Sequence, residues 1–343
     1  MIDVVIPNYN KVRFIEECIQ SLRNQSFSDW RCIVVDGYSD DGSWEVLQDV
    51  AEEDDRFCLH QLDRIGLYKS WNYGLRKVEN PYFAVLTSDD VWDPQWLEIA
   101  VSALEEHEHA IAAAGRTKYL NEEGQIGSVV RRNSVGESIF LPENADRPVV
   151  WNGLNCSVAG YFLGTIFNSI HSFVARSSLR DDLLFPTDVG TAGDLEWSTR
   201  IGLHGDIVYC PNVELYWRVC DEQASGKKIG ERKDLEANIM KMLDRTRPLI
   251  AERLSGKKRE RFLEAAEYHV NEVLPFFFRR PPLTGFRRAP LRAIRDALWS
   301  AFPHSRFFVG EILHYILGRE RYTIRQRTDL AQSVIKEEEC PCK

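Results

Sequence analysis

No glycine-rich G-x-G-x-x-G follows the first apolar stretch of this 343-residue chain, and no G-x-x-x-x-G-K-[ST] occurs in it, so neither a dinucleotide-binding turn nor a phosphate-cradling loop is supported. The eight cysteines, at 18, 32, 58, 156, 210, 220, 340 and 342, show no repeated pair spacing of the kind a four-ligand zinc site needs, and reduced core thiols are the expectation. No apolar run reaches the roughly 18 residues needed to cross a bilayer. The amino terminus lacks the basic start, apolar stretch and small-residue cleavage site of a secretory signal, so the expected location is cytoplasmic.

What is present is a large apolar fraction, 44%, enough to bury a sizeable core, and a charge that is unevenly spread. Residues 279–343 hold 13 Lys and Arg against 7 Asp and Glu, which makes the net −9 of the chain a −15 body with a +6 C-terminal stretch. The first 120 residues alternate strand and helix signals. Apolar runs at Ile2–Ile6, Arg31–Val35, Phe57–Leu62 and Tyr82–Leu86 are each followed by residues at helical spacing, among them Phe14, Ile15, Cys18, Ile19 and Leu22 after Asn10 as a cap. This βαβα pattern predicts an α/β fold whose mostly parallel sheet has helices on both faces and binds ligands beyond the carboxyl ends of its strands. Asn8, Asp36, Asp63 and the pair Asp89-Asp90 all follow strand ends.

The acidic pair is the most informative of these. Two adjacent carboxylates at the end of a buried strand lose hydration and call for a cation beside them, a divalent metal first of all. The other reading is a turn that leads into Asp93-Pro94 as the start of a helix. Because no phosphate-cradling loop is present, a phosphorylated ligand would need another counter-charge, and this favours the metal.

Three motifs in order, Val4-Val5-Ile6-Pro7-Asn8-Tyr9-Asn10, Val34-Val35-Asp36 before Asp40-Asp41-Gly42-Ser43, and Leu86-Thr87-Ser88-Asp89-Asp90, resemble those of family 2 glycosyltransferases of GT-A fold. Asp63 to Gly74 is similar to a stretch found in members acting on bacterial surface polysaccharides, and the resemblance covers about residues 1–220. It implies that Pro7 and Tyr9 line a base pocket, that Asp36 accepts a hydrogen bond from uracil, and that Asp63, Arg64 and Gly66 lie beside the nucleotide. It further implies that Asp89 faces the ribose and metal, and that Asp90 coordinates Mn²⁺ or Mg²⁺ on the donor diphosphate. Many relatives carry an acidic residue where Thr87 or Ser88 stands. Asp194, in a glycine-containing loop before a helix, matches the position of the base that takes the acceptor's proton, and it also suits a helix N-cap. Glu196 is a weaker rival for the base. His171, Trp151, Asn152 and Trp197 are candidates for a sugar or acceptor pocket, with core packing the competing account of His171 and both tryptophans. The Q-x-x-R-W signature of processive members is absent, and Tyr216-Trp217-Arg218 resembles the acceptor-side loop of non-processive ones.

The expected organisation is a catalytic domain over residues 1–225 and a helical, arginine- and aromatic-rich extension over 226–343. Its helices are expected at Lys227–Arg253 and Lys257–Val273. The segment from Phe276 to Phe308 suits a peripheral contact with anionic lipid on the inner face of the plasma membrane, or a helical cap on the catalytic domain or a second subunit. Overall acidity argues against nucleic acid as a partner. The expected function is an inverting, non-processive transfer from a nucleotide-sugar, a UDP-sugar in first place, to a glycan acceptor carried on lipid. A non-catalytic nucleotide-sugar-binding or scaffold protein on the same fold is the alternative. A nucleotidyltransferase is disfavoured because Pro7-Asn8-Tyr9-Asn10 is neither glycine-rich nor basic.

Overall fold

The computed structural model describes residues 1–167, 170–219, 232–274 and 319–335. The chain forms two compact units, Met1–Leu254 and Ser255–Lys343.

The first unit is built on one sheet. Strands β1 (Ile2–Asn8), β2 (Trp30–Asp36), β3 (Phe57–Gln61) and β4 (Tyr82–Val85) alternate with helices α1 (Val12–Arg23), α2 (Ser43–Glu53) and α3 (Leu67–Leu75). A short β5 (Val91–Trp92) precedes α4 (Trp96–Glu106). The strand order is β3-β2-β1-β4, all parallel, and it reverses between β1 and β4, the place where a doubly wound sheet opens a crevice. Register aligns Asn8 with Asp36 and Asp36 with Gln61, so three polar side chains share one carboxyl edge.

β1 is buried along its whole length because both its faces are covered. Ile2, Val4 and Ile6 pack with α1, α2 and α4, while Val5 faces α3. The close approach of α3 needs Gly74, where a Cβ would lie 2.3 Å from Val5 Cγ1. Each large apolar side chain buried here contributes about 1.5–3 kcal/mol relative to exposure. Two expected caps differ. The N-cap of α1 is Lys11, and Asn10 instead takes a left-handed φ of 52° and donates to Asp40 Oδ1 at 2.8 Å. α4 starts at Trp96, with the Asp93 carboxylate accepting the Gln95 N–H at 2.9 Å.

Beyond α4 the sheet becomes mixed. β6 (Ala110–Leu120) and β10 (Asp206–Arg218) pair in parallel, and β9 (Phe173–Arg176) runs antiparallel between β4 and β6. β7 (Ile126–Val129) and β8 (Val149–Trp151) pair with β6 and β10. Helices α5 (Arg131–Phe140), α6 (Gly153–Leu163), α7 (Gly193–Ile201) and α8 (Arg232–Arg253) complete the unit. The division expected at 225/226 marks the change in composition, whereas packing draws α8 into the first unit and divides the chain at 254/255. In the second unit, α9 (Gly256–Tyr268) continues through a π-helical turn at His269–Val273 and packs on α10 (Arg319–Ile335). The arginine- and aromatic-rich segment and the Glu337–Cys342 tail lie outside the described residues. Cys18, Cys32, Cys156 and Cys210 are buried free thiols, as expected of core cysteines. Among the described residues no helix is long and apolar enough to cross a membrane.

Candidate active site

The carboxyl edge of the parallel strands carries two polar clusters. In the first, Asn8 reaches from the end of β1 and donates to Asp36 Oδ1 at 2.8 Å and to the Ser43 hydroxyl at 3.0 Å. Asp36 is 0% exposed. Its oxygens also accept the Ser39 hydroxyl at 2.6 Å, the Ser39 N–H at 2.9 Å and a longer contact from Gln61 at 3.4 Å. The carboxylate assigned to uracil by resemblance therefore points into a network that ties three strand ends together. Tyr9, two residues beyond buried Pro7, turns outward instead. The Arg64 guanidinium lies 4.2 Å over its ring and donates to its hydroxyl at 3.2 Å, from a loop on which Asp63 and Gly66 are also exposed.

The second cluster is the acidic pair. Asp90 is 1% exposed, and its N–H bonds Thr87 O at 3.0 Å to close a tight turn. Its Oδ1 accepts the backbone N–H of Arg218 at 2.9 Å, and its Oδ2 accepts the Thr87 hydroxyl. His171 Nδ1 lies 2.9 Å from the same Oδ2, off the line of a hydrogen bond. His171 stands in the one-turn helix Ile170–Ser172 before β9, fully buried. Because β9 is antiparallel to β4, the beginning of β9 comes to the edge where β4 ends.

Asp89 has the opposite character. Its side chain is 13% exposed and Oδ2 lies 2.8 Å from Lys11 Nζ. Burial and the charge of Asp90 push its carboxyl upward, and Lys11 works against them. Arg218, itself 1% exposed, donates to the Asp89 carbonyl and to the Asn121 carbonyl, each at 2.8 Å, and to Glu17 Oε2 at 2.5 Å. Among the described residues no group of three His, Cys, Asp or Glu side chains could hold a metal ion.

Asp194 lies in the first turn of α7. The N-cap is Ala192, so Asp194 is the second helical residue, two positions beyond the cap, where the partial positive charge of the helix N-terminus favours a carboxylate. Its Oδ1 accepts the Leu195 N–H at 2.9 Å and lies 3.2 Å from the Tyr68 hydroxyl, whose other acceptor is Thr191 O at 3.3 Å. Ile170, next to His171, lines a small cavity together with Asp194, Phe173 and Trp197, so one short turn runs from the acidic pair to the Asp194 helix.

Strand-end loops bearing these groups on a β3-β2-β1-β4 sheet match known proteins. The sequence model of Glycosyl transferase family 2 matches residues 3–164. Those residues are a family 2 glycosyltransferase domain. The chain is 25% identical over 228 residues to an uncharacterised glycosyltransferase of Haemophilus influenzae, covering 66% of this chain and 67% of that protein. It is 31% identical over 116 residues to TuaG of Bacillus subtilis, a glycosyltransferase provisionally assigned to teichuronic acid biosynthesis, and there it spans 34% of this chain and 46% of that protein. Among solved structures, Staphylococcus aureus TarS residues 1–349 with UDP-GlcNAc aligns with a TM-score of 0.59 at 18% identity, covering 97% of this chain and 90% of that one. A mannosyltransferase of Pyrobaculum calidifontis with GDP-Man and Mn²⁺ gives 0.56 at 18% identity, covering 98% and 88%. The fold is GT-A.

Of the remaining candidates of the glycosyltransferase, Trp151, Trp197 and Glu196 are buried in the core, and Asn152 is exposed. Trp151 is 1% exposed and stacks on Tyr209 at 4.1 Å, and Trp197 is packed between Phe185 and Phe173 with its indole N–H on Leu183 O. Neither presents a face to a sugar. Asn152 caps α6 by accepting the Asn155 N–H at 3.0 Å. Glu196 is buried, with both oxygens on Arg245 Nη1 at 3.0 and 3.1 Å, so it is tied to α8. Lys11, Tyr68 and Arg218 are the residues that sequence reasoning passed over as site residues. Lys11 had a signal in its place directly after the first strand-end loop, while the roles of Tyr68 and Arg218 depend on partners more than 120 residues away.

Proposed function

We propose that the protein is an inverting, non-processive glycosyltransferase that moves a sugar from a nucleoside diphosphate sugar, a UDP-sugar in first place, to a hydroxyl of a lipid-carried surface glycan. The observation that carries this reading is Asp194, held by Tyr68 in the first turn of α7 and joined through Ile170-His171 to the acidic pair.

In this reading Asp194 takes the proton of the acceptor hydroxyl. The freed oxygen bonds to the anomeric carbon from the face opposite the diphosphate, the carbon–oxygen bond to the diphosphate breaks, and the nucleoside diphosphate departs. Tyr9 and Arg64 supply a flat surface for the base. Asp36 supports them indirectly by fixing Asn8 and the Ser39 turn. The residues present fit a Mn²⁺ or Mg²⁺ ion at Asp89, whose carboxylate reaches the edge, while Asp90 is enclosed by its own partners and holds the turn. Such ions commonly take one or two carboxylates together with substrate phosphates, and the ion would neutralise charge on the leaving diphosphate. Lys11 is a second positive charge at the same place. The fold relatives bound to UDP-GlcNAc and to GDP-Man with Mn²⁺ support the donor class, and TuaG supports a glycan acceptor.

The test is a panel of UDP- and GDP-sugars with Mn²⁺ or with EDTA, read as release of free nucleoside diphosphate. Release from one donor that needs metal, falls with Asp89→Asn and disappears with Asp194→Asn while UDP still binds is the expected result. UDP binding without release from any donor, with or without glycan acceptors, would replace this reading by the non-catalytic one.

A further inference from the structure

We infer that Tyr68 is a positioning residue for the base, an assignment that rests on the role proposed for Asp194. Two independent features join Tyr68 to the turn that carries Asp194. The first is reciprocal hydrogen bonding: the Asp194 N–H donates to the Tyr68 hydroxyl at 3.2 Å, and that hydroxyl stands 3.2 Å from Asp194 Oδ1 and 3.3 Å from Thr191 O, to one of which it donates. The second is the ring itself. A Cβ on Gly193 would lie 2.4 Å from Tyr68 Cε2 and 2.7 Å from two further ring carbons, so the backbone before Asp194 rests flat on the tyrosine and only glycine allows it.

The ring has no freedom to yield. It stacks on Phe185 at 5.7 Å with an interplanar angle of 9° and meets Trp71 edge-on at 5.4 Å. Tyr68 is 8% exposed, and burial beside the Asp194 charge pushes its phenol far above the ordinary range, so it stays a neutral donor. It stands in the first turn of α3, directly after the Asp63–Gly66 loop. One rigid side chain thus sets the base by contact with both its backbone and its carboxylate, and ties it to the loop assigned to the donor. A proton acceptor must be held within a fraction of an ångström of its productive place for efficient transfer.

The experiment compares Tyr68→Phe, Gly193→Ala and Asp194→Asn with the unmodified chain on whichever sugar of the UDP- and GDP-sugar panel it hydrolyses fastest, measuring kcat, donor KM, the Kd of UDP with Mn²⁺, and Tm. Tyr68→Phe keeps the ring and removes only the hydroxyl. The expected result is a fall of about ten- to a hundredfold in kcat with donor KM, Kd and Tm close to the parent, and a loss in the same direction for Gly193→Ala. Full kcat in Tyr68→Phe, beside an inactive Asp194→Asn, would overturn the positioning role and leave the base in place. A parallel loss of kcat, KM and Tm in Tyr68→Phe would make its role purely structural. Activity surviving in Asp194→Asn would remove the base assignment itself, and the inference with it.

Discussion

Replacing Arg218 by methionine tests whether the acidic turn is held from β10. The guanidinium is 1% exposed and donates to the carbonyls of Asp89 and Asn121 and to Glu17. Methionine keeps the apolar stem but removes the guanidinium that lies 4.7 Å over the Phe14 ring, so that contact is lost along with the hydrogen bonds. The Glu17 pair counts for little because Glu17 is 52% exposed. The two carbonyls lose a charged donor, worth about 1.5–3 kcal/mol each, or about 3–6 kcal/mol together. For a unit of this size each kcal/mol moves Tm by roughly 2–4 °C, so a fall of at least about 6 °C is expected by scanning calorimetry. Donor KM should rise as well, since the Asp89 carbonyl is one of the two released groups. A Tm within about 2 °C of the parent would refute the claim that Arg218 anchors this turn.

Lys11→Met removes the cation from Asp89. It should raise the Mn²⁺ affinity of the nucleotide-free protein about two- to fivefold in a spin-resonance titration, and unchanged or weaker affinity would show that Lys11 does not stand in the ion's place. Arg245→Met leaves buried Glu196 with only Arg200, 3.6 Å away, at a cost of about 1–2 kcal/mol at pH 7. Burial already raises the pKa of Glu196 above its ordinary 4.5 and Arg245 holds it down, so without Arg245 the folded state takes up a proton that the unfolded chain does not. The deficit in Tm should therefore be largest near neutral pH and shrink as pH falls toward 4.5, and a deficit that grows with acid would contradict the sign. Asp36→Asn exchanges one acceptor for a donor within a set of donors and should cost about 1–3 kcal/mol in denaturant unfolding. The ratio of UDP to GDP affinity in calorimetry should not change, and selective loss of UDP binding at full stability would return Asp36 to base recognition.

The parallel half of the sheet was legible because β1, β2 and β4 are buried and read as largely apolar runs, with helix-period residues between, while the half-buried edge strand β3 gave a weaker signal. The strand ends fell where polar residues replace that run, which put Asn8, Asp36 and Asp89-Asp90 on one edge. Depth was not legible. Asp36 and Asp90 look like Asp89 in sequence, yet the first two are enclosed by donors from distant strands and only Asp89 reaches outward. Trp151 and Trp197 could not be told from sugar-stacking residues, because aromatic side chains suit either place and only their packing on Tyr209 and Phe185 decides. A strand around Ile170–Arg176 was implied by the resemblance, but β9 spans only the four residues Phe173–Arg176, too short for a periodicity to reveal its direction or its neighbours.

The antiparallel insertion of β9 has a consequence for how this protein is assembled. The carboxylate of Asp90 is satisfied by residue 218, with residue 171 beside it, and both lie outside the stretch 3–164 that carries the family's sequence pattern. The early strands can associate through short loops, but those two ties close loops of roughly a hundred residues and form late. Expressed alone, the segment 3–164 would leave the buried Asp90 carboxylate with the Thr87 hydroxyl but without the backbone N–H of Arg218. The Asp90 turn can therefore gain its tie to Arg218 only after the end of β10 has left the ribosome.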